Sequence, residues 1–462
     1  MEFASVWFIE LFLPLTLVGY YLLRLIKDEK KRLTVGNIFL LTVSLLFYAW
    51  GGIWQTGLVL AIIAVNFVAG IWMEQLPEQN ALRKAVFLGA IAVNVIVLVV
   101  FKTVGSKIGM LAISFVTFQS ISYVADVYTG KVRADRKPLD FSLYMSLFAQ
   151  MTQGPIMRYG DLGSQIRKRN HSLEQFLMGL KRFSYGLAKK VLIANVVAKA
   201  VDDIWAPEVI ATHSTGTAWL GLILYALQIY YDFSGYTDMA IGVGGMFGFK
   251  ITENFNYPYT ALSVQEFWRR WHMSLSFWFR DYIYIPLGGS RCGKWRIYFN
   301  LFAVFFLTGI WHGTTKTFIC WGLMFAGFSI IERAFLGEWL KKNPIKPLNW
   351  LYTMAVVLLG WVLFRAPALR HALHYFMRLI AFAPSTAGIT ILSYLNAEII
   401  IAAIAGILCC GLIQRPLNRY YTKVKDTMWF VGGDTLIQLI LFGWSLLRLV
   451  SGSYNPSIYG NF

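Results

Sequence analysis

Apolar runs long enough to cross a lipid bilayer recur along this chain, and no other feature narrows the fold as much. Thr56–Met73, Ala85–Phe101, Leu348–Phe364 and Ile389–Gln414 approach or exceed the about 18–20 residues that span the hydrocarbon core. Of the 462 residues, 57% are hydrophobic and 14% charged, a balance that soluble domains rarely show. The short alternating segments of a β-barrel are missing. The sequence therefore predicts an all-α polytopic membrane protein with about eleven transmembrane helices plus re-entrant or interfacial pieces. Met1–Glu10 carries no positive region, so the first apolar stretch, Trp7–Ile26, reads as a retained span.

The net charge of +18 gathers in polar interruptions: 27–32 (KDEKKR), 131–137, 167–169, 341–346 and 415–425. Basic residues that flank apolar spans follow the positive-inside rule and attract anionic lipid. They form no basic domain, which argues against nucleic acid. A cytoplasmic basic rim also suits an anionic donor such as a coenzyme A thioester or an acidic carrier protein. The four cysteines have neither disulfide-framework nor zinc-site spacing, so no bound metal is expected.

Polar residues at membrane depth are costly and point to function. Asn300–Ala326 is one long apolar run with a single imidazole, His312, between Trp311 and Gly313. Alone it fits either a proton-transfer group or a neutral histidine bonded to a neighbouring carbonyl. Gly309 and Gly313 leave room for a substrate or another backbone. The span 218–249 turns polar halfway, at Asp232 and Asp238. Phe141–Met157 contains Gln150, Gln153 and Gly154-Pro155, with Arg158 just beyond, and reads as a broken or re-entrant segment, or as a cytoplasmic loop. In Leu173–Ala200, lysines and arginines at 181, 182, 189 and 190 have the spacing of snorkelling side chains.

Ser263 to Glu266 is a capping-box pattern that announces a helix. Trp268, Trp271, Leu275, Trp278 and Tyr282 follow at helical spacing, and the helix must end by Pro286. His272 lies beside this stripe, with Arg269 and Ser276 on its face. Such a helix suits an interface or vestibule, with Arg269 near headgroup depth. Neither histidine has a second metal ligand at useful spacing.

Several stretches in order resemble the membrane-bound O-acyltransferases, in particular their bacterial polysaccharide O-acetylation branch: FVTFQSISYVADVYTG (115–130), QMTQGPIMRYGDL (150–162), YYDFSGYTDMAIG (230–242), ENFNYPYTALSVQEFWRRWHMSLSFWFRDYIYIPLGGSR (253–291) and LTGIWHGTTKTFICWG (307–322). The resemblance implies one membrane domain over 1–462 around a central funnel, with a catalytic core over about 110–335 and a tail at 451–462. It implies His312 as the principal catalytic residue and His272 as the second. Asp238, Asp232, Trp311, Arg269, Gln153 and Arg158 would line the funnel. Relatives often end in an aromatic hexapeptide whose tyrosine is proposed to carry the acyl group. Here Tyr459 and Phe462 match it, while Ser457 replaces the first aromatic.

The resemblance also implies a donor and a partner. Acetyl-coenzyme A is the expected donor substrate, with no bound cofactor, and an extracytoplasmic SGNH-type transferase the expected partner. The expected location is the bacterial cytoplasmic membrane. A D-alanyl transferase fed by a carrier-protein thioester is the alternative in the same class. A transporter or flippase using Asp232 and Asp238 as a proton relay is the alternative in another, and a scaffold of a secretion complex is a third.

Overall fold

The computed structural model describes residues 2–104, 113–151, 153–386, 388 and 390–456. Among them every regular element is helical. The described residues group into two compact units, one within 2–187 with 236–253, and one within 188–235 with 254–456.

The first unit carries α1 (Leu13–Leu23), α2 (Glu29–Ala49), α3 (Ile53–Gln75), α4 (Ala81–Val104), α5 (Ile113–Tyr128), α6 (Pro138–Ser146), α7 (Tyr159–Arg167) and nearly all of α8 (Leu173–Ala188). Asp28 caps α2 by accepting the N–H of Lys31 at 2.7 Å, satisfying a donor that the first turn leaves open. Between α3 and α4, Asn66 and Asn94 exchange side-chain hydrogen bonds of 3.2 and 2.8 Å, the polar attraction that joins helices where water is scarce. α5 is buried along most of its length, as its serines, threonine, glutamine and aspartate require.

The second unit carries α9 (Asn195–Ile204), α10 (Thr215–Met246) as far as Gly235, α11 (Val264–Trp268), α12 (Met273–Phe279), α13 (Lys294–His312), α14 (Lys316–Ile331), α15 (Gly337–Lys342), α16 (Lys346–Arg365), α17 (Leu369–Ile380), α18 (Ala397–Ile407), α19 (Gln414–Val424) and α20 (Met428–Val450). The rest of α10 belongs to the first unit, where Gly242 meets Gly179 of α8. A Cβ on either glycine would sit 2.6 Å from the other's carbonyl oxygen, so hydrogen is the largest group that fits.

Six helices among the described residues are long and apolar enough to cross a membrane: 29–49, 53–75, 81–102, 316–342, 346–365 and 428–450. Two shorter apolar helices, 7–23 and 397–412, accompany them. The two helices that bear the polar chemistry, α10 and α13, fall outside this group. The chain is thus an all-helical, multi-pass membrane protein, with six such spans against the about eleven read from apolar runs.

The apolar run 300–326 divides between two helices: α13 stops at His312, Gly313 is its cap, and α14 turns back. Two local expectations change. The helix announced by Ser263 is broken. The cap forms, with Ser263 Oγ accepting the N–H of Glu266 at 3.0 Å, but α11 ends at Trp268 and α12 begins only at Met273. Arg269 therefore does not share a helical face with His272; its side chain is exposed whereas the imidazole is buried. The basic residues of α8 and beyond do not all snorkel either. Arg182 pairs with Asp238 at 2.8 Å and with Glu253, and Lys190 is buried in an ion pair with Asp232.

Candidate active site

His272 sits in the break between α11 and α12 with φ of 45°, a left-handed conformation that a non-glycine residue adopts only when its surroundings impose it. Asn254 imposes it. The Asn254 carbonyl accepts the N–H of Met273 at 2.9 Å, and its Oδ1 accepts both the N–H of Ser274 at 3.1 Å and the Ser274 hydroxyl at 2.9 Å. The same Oδ1 lies 3.2 Å from His272 Nδ1.

These contacts fix the tautomer. A backbone N–H can only donate, so the atom facing Ser274 is the amide oxygen and Nδ1 of His272 must carry the hydrogen. The Nε2 atom then holds a lone pair. It is buried and, among the described residues, has no hydrogen-bond partner. Burial drives the imidazole down to about 3, so it is neutral near pH 7. An oriented, neutral, unengaged imidazole nitrogen is what a proton acceptor or a positioning hydrogen-bond acceptor needs.

His312 is the last residue of α13 and is buried. Its ring is enclosed by Trp311, Trp321 and Phe364 at centroid distances of 4.5, 5.1 and 4.9 Å, with Phe318 stacked at 6.1 Å. The hairpin that carries it is set by backbone contact. A Cβ on Gly309 would lie 2.7 Å from the Phe318 carbonyl oxygen, and one on Gly322 would lie 2.6 Å from that of Phe305. A Cβ on Gly313 would enter the Phe318 ring at 2.5 Å. The room at Gly309 and Gly313 is filled by α14, and that at Gly322 by α13.

The two imidazoles meet on one side chain. The ring of Trp311 is 4.5 Å from that of His312 and 6.5 Å from that of His272, and Phe233 of α10 packs edge-on against His272 at 4.7 Å. The sequence supplied the two histidines; Asn254, 18 residues before its partner in an irregular stretch, was not singled out. The signal available was the NFNYP pattern, an asparagine in a segment with no periodicity.

The remaining expected residues divide between the units. Asp232 belongs with the histidines to the second unit, and its carboxylate is held by Lys190. Lys190 also donates to the carbonyl of Pro456, while Asn195 donates to Asn455 at 2.8 Å and Tyr454 to Asp202 at 2.7 Å. Arg365 completes this cluster at 2.6 Å from Asp202. The stretch 454–456, within the tail, is thus pinned by three side chains, and Tyr459 itself lies outside the described residues. Arg269 lines a cavity of about 410 Å³ whose wall is largely apolar and includes Trp268, Arg280 and Arg333. Trp268 in turn touches Trp321, the neighbour of His312, at 5.6 Å.

Asp238, Gln153 and Arg158 belong to the first unit. Asp238 is ion-paired with Arg182. Gln153 is buried within an irregular stretch after α6, where Gln119 donates to Gln150 at 2.7 Å and Gly154 packs against the Gln150 carbonyl. The broken reading of 141–157 therefore holds, and the stretch is covered by protein. Both aspartates invoked for a proton relay are ion-paired. Among the described residues no cluster of histidine, cysteine or carboxylate side chains could hold a metal ion.

Residues 132–373 match the sequence model of the membrane-bound O-acyltransferase family. A probable alginate O-acetylase of Pseudomonas fluorescens is 35% identical over 100% of both chains. A peptidoglycan O-acetyltransferase of Helicobacter pylori is 34% identical over 80% of this chain and 78% of its own. A teichoic acid D-alanyltransferase of Bacillus subtilis is 31% identical over 54% of this chain and 66% of its own.

Proposed function

The chain belongs to the membrane-bound O-acyltransferase family, in its bacterial polysaccharide O-acetylation branch, and from its site we infer that it takes an acetyl group from a cytoplasmic thioester, acetyl-coenzyme A, for transfer across the membrane to an exported cell-envelope polysaccharide. The relatives that span the whole chain act on polysaccharide, which supports the acceptor class. The observation that carries the chemistry is the pair of buried imidazoles on Trp311, one of them with a bare Nε2.

In this reading the attacking hydroxyl loses its proton to His312 as its oxygen bonds the acetyl carbon. The carbon–sulfur bond of the thioester breaks, and His312 returns the proton to the departing thiolate. His272, held by Asn254, presents Nε2 to an N–H or O–H of the bound reactants and so orients them. Asp232 contributes through Lys190, which holds Pro456 of the tail. Tyr459 supplies the first hydroxyl, and an extracytoplasmic SGNH-type transferase takes the acetyl group onward. The protein sits in the cytoplasmic membrane with the basic segment 27–32 facing the cytoplasm.

Purified protein given radiolabelled acetyl-coenzyme A tests this reading. Label should appear on protein or acceptor, or the thioester should be cleaved, and both should fail in His312→Ala. Equal turnover in the two proteins would sink it. The relative that transfers D-alanine supports a second reading, in which the donor is a carrier-protein thioester. Offering both donors to the same preparation separates them.

A further inference from the structure

Within the first unit, the end of α1, the first turns of α2 and the segment 167–171 enclose a cavity of about 260 Å³. Its wall carries Arg24, Arg32, Arg167, Lys168 and Arg169 against a single carboxylate, Glu29. Arg167 is neutralised by Asp135 at 3.2 Å. Among the described residues no carboxylate forms an ion pair with Arg24, Arg32, Lys168 or Arg169.

Arg169 is the most telling of these. Its Nη2 donates to Tyr20 Oη at 3.1 Å and to Asn37 Oδ1 at 2.7 Å, and its guanidinium stacks on Phe249 at 4.5 Å. Its Nε and Nη1 are shut off from solvent and, among the described residues, have no hydrogen-bond partner. A cation fixed in this way, with no carboxylate in direct contact and Asp140 reaching it only through Asn37, raises the potential of the cavity. The neighbouring imidazole of His171 registers it. Burial, Arg24, Arg169 and Arg32 together hold that ring at about 4, and its neutral Nε2 lies 2.9 Å from Tyr20 Oη. Gly36 leaves one wall open, since a Cβ there would meet only the Tyr20 ring at 3.4 Å and Arg169 Nη2 at 4.0 Å.

A second cavity of about 330 Å³ adjoins the first through Arg24 and His171. It is lined by Tyr21, Ser172, Leu173 and Phe176, and its surface is mostly apolar. A strongly cationic chamber beside an apolar groove matches an anionic head joined to a hydrocarbon chain. Guanidinium groups favour phosphate oxygens, which accept several hydrogen bonds at once. The cluster 27–32 places this end of α1 and α2 on the side where anionic lipid headgroups are found.

We propose that this cavity is a site for a phosphate ester, and that its occupant is an anionic phospholipid, with the headgroup phosphate among Arg24, Arg32 and Lys168 and a hydrocarbon chain along Tyr21, Leu173 and Phe176. The site does not depend on the acyltransfer reading, because none of its residues belongs to the unit that holds His272 and His312.

The test uses full-length protein in phosphatidylcholine nanodiscs containing a minor share of phosphatidylglycerol, with retained phosphatidylglycerol counted by native mass spectrometry. Arg24→Gln with Arg32→Gln should weaken retention by about tenfold, the loss of roughly one charge-assisted contact. Lys423→Gln with Lys425→Gln, a control in another basic cluster, should leave it unchanged. Melting in pure phosphatidylcholine should be the same for both. If the double variant does not fold, Arg24→Gln alone carries the test, since Arg24 ends α1 and anchors no partner helix by hydrogen bonds. Equal losses in variant and control, or no loss in either, would overturn the site. In a second arm coenzyme A and inorganic phosphate are titrated calorimetrically into pure phosphatidylcholine nanodiscs. Saturable binding there that Arg24→Gln removes, with phosphatidylglycerol retention intact, would overturn the lipid assignment in favour of a soluble phosphoester.

Discussion

Asn254 holds His272 by two separate atoms: its carbonyl oxygen ties down the residue after the histidine, at 2.9 Å, and its Oδ1 lies 3.2 Å from the ring at Nδ1. One asparagine thus fixes both the backbone conformation and the tautomer. Asn254→Ala should lower thioester turnover by about 10²-fold, the lower range for losing a positioned acid–base group, and should lower stability by the three hydrogen bonds that Oδ1 accepts, about 1 kcal/mol each. Asn254→Asp should restore orientation and make the ring easier to protonate. Turnover across pH in the three proteins checks this, and an undiminished Asn254→Ala would remove Asn254 from the site.

His272 also carries a stability signature. Its folded pKa of about 3 lies below the about 6.5 of an unfolded histidine. Between these values the unfolded chain binds a proton that the folded chain refuses, so stability is full above about pH 6.5 and falls as pH drops toward 3. The slope is at most about 1.4 kcal/mol per pH unit. His272→Gln should melt with a shallower decline over that window. The comparison is one of melting temperatures at a series of pH values in fixed detergent.

Lys190 and Asp232 are both buried, and losing one strands the other. Lys190→Met should cost about 3–5 kcal/mol, and Lys190→Met with Asp232→Leu should recover most of it. The double variant still lacks the donor to Pro456. It should therefore fold and yet transfer less acetyl to the acceptor, a split visible by comparing melting with acetylation. Full activity in the double variant would show that the Pro456 contact has no role.

Tyr459→Phe removes one hydroxyl and little volume. Thioester cleavage should survive while polymer acetylation in cells is lost. Undiminished polymer acetylation would rule out a tyrosine relay.

Much of this molecule was legible in its sequence, for identifiable reasons. Long apolar runs report their own burial, so α3, α4 and α16 lie close to where composition puts them. The S-x-x-E box reports a cap through contacts three residues apart, and Ser263 makes that contact. The histidines stood out because imidazoles are rare in apolar surroundings. What stayed hidden depends on partners far along the chain. Nothing near His272 predicts that Asn254 will break the helix there, and nothing in the spacing of 189 and 190 says that Lys190 turns inward to Asp232, 42 residues away. Helical periodicity described the face of Arg269 correctly only for a helix that tertiary contacts then interrupted.

The α13–α14 hairpin has a consequence for how this protein tolerates change. His312 is placed by main-chain atoms approaching main-chain atoms at Gly309 and Gly322, so those positions constrain volume and are indifferent to polarity. Positions 254, 272 and 312 constrain chemistry instead. A library sampling every substitution should therefore fall into two classes around the same centre. At the glycines alanine would already be deleterious and serine no better; at the polar positions size-matched replacements would fold and fail to react. Frame and reactivity would separate in the survivors, without a ligand ever being added.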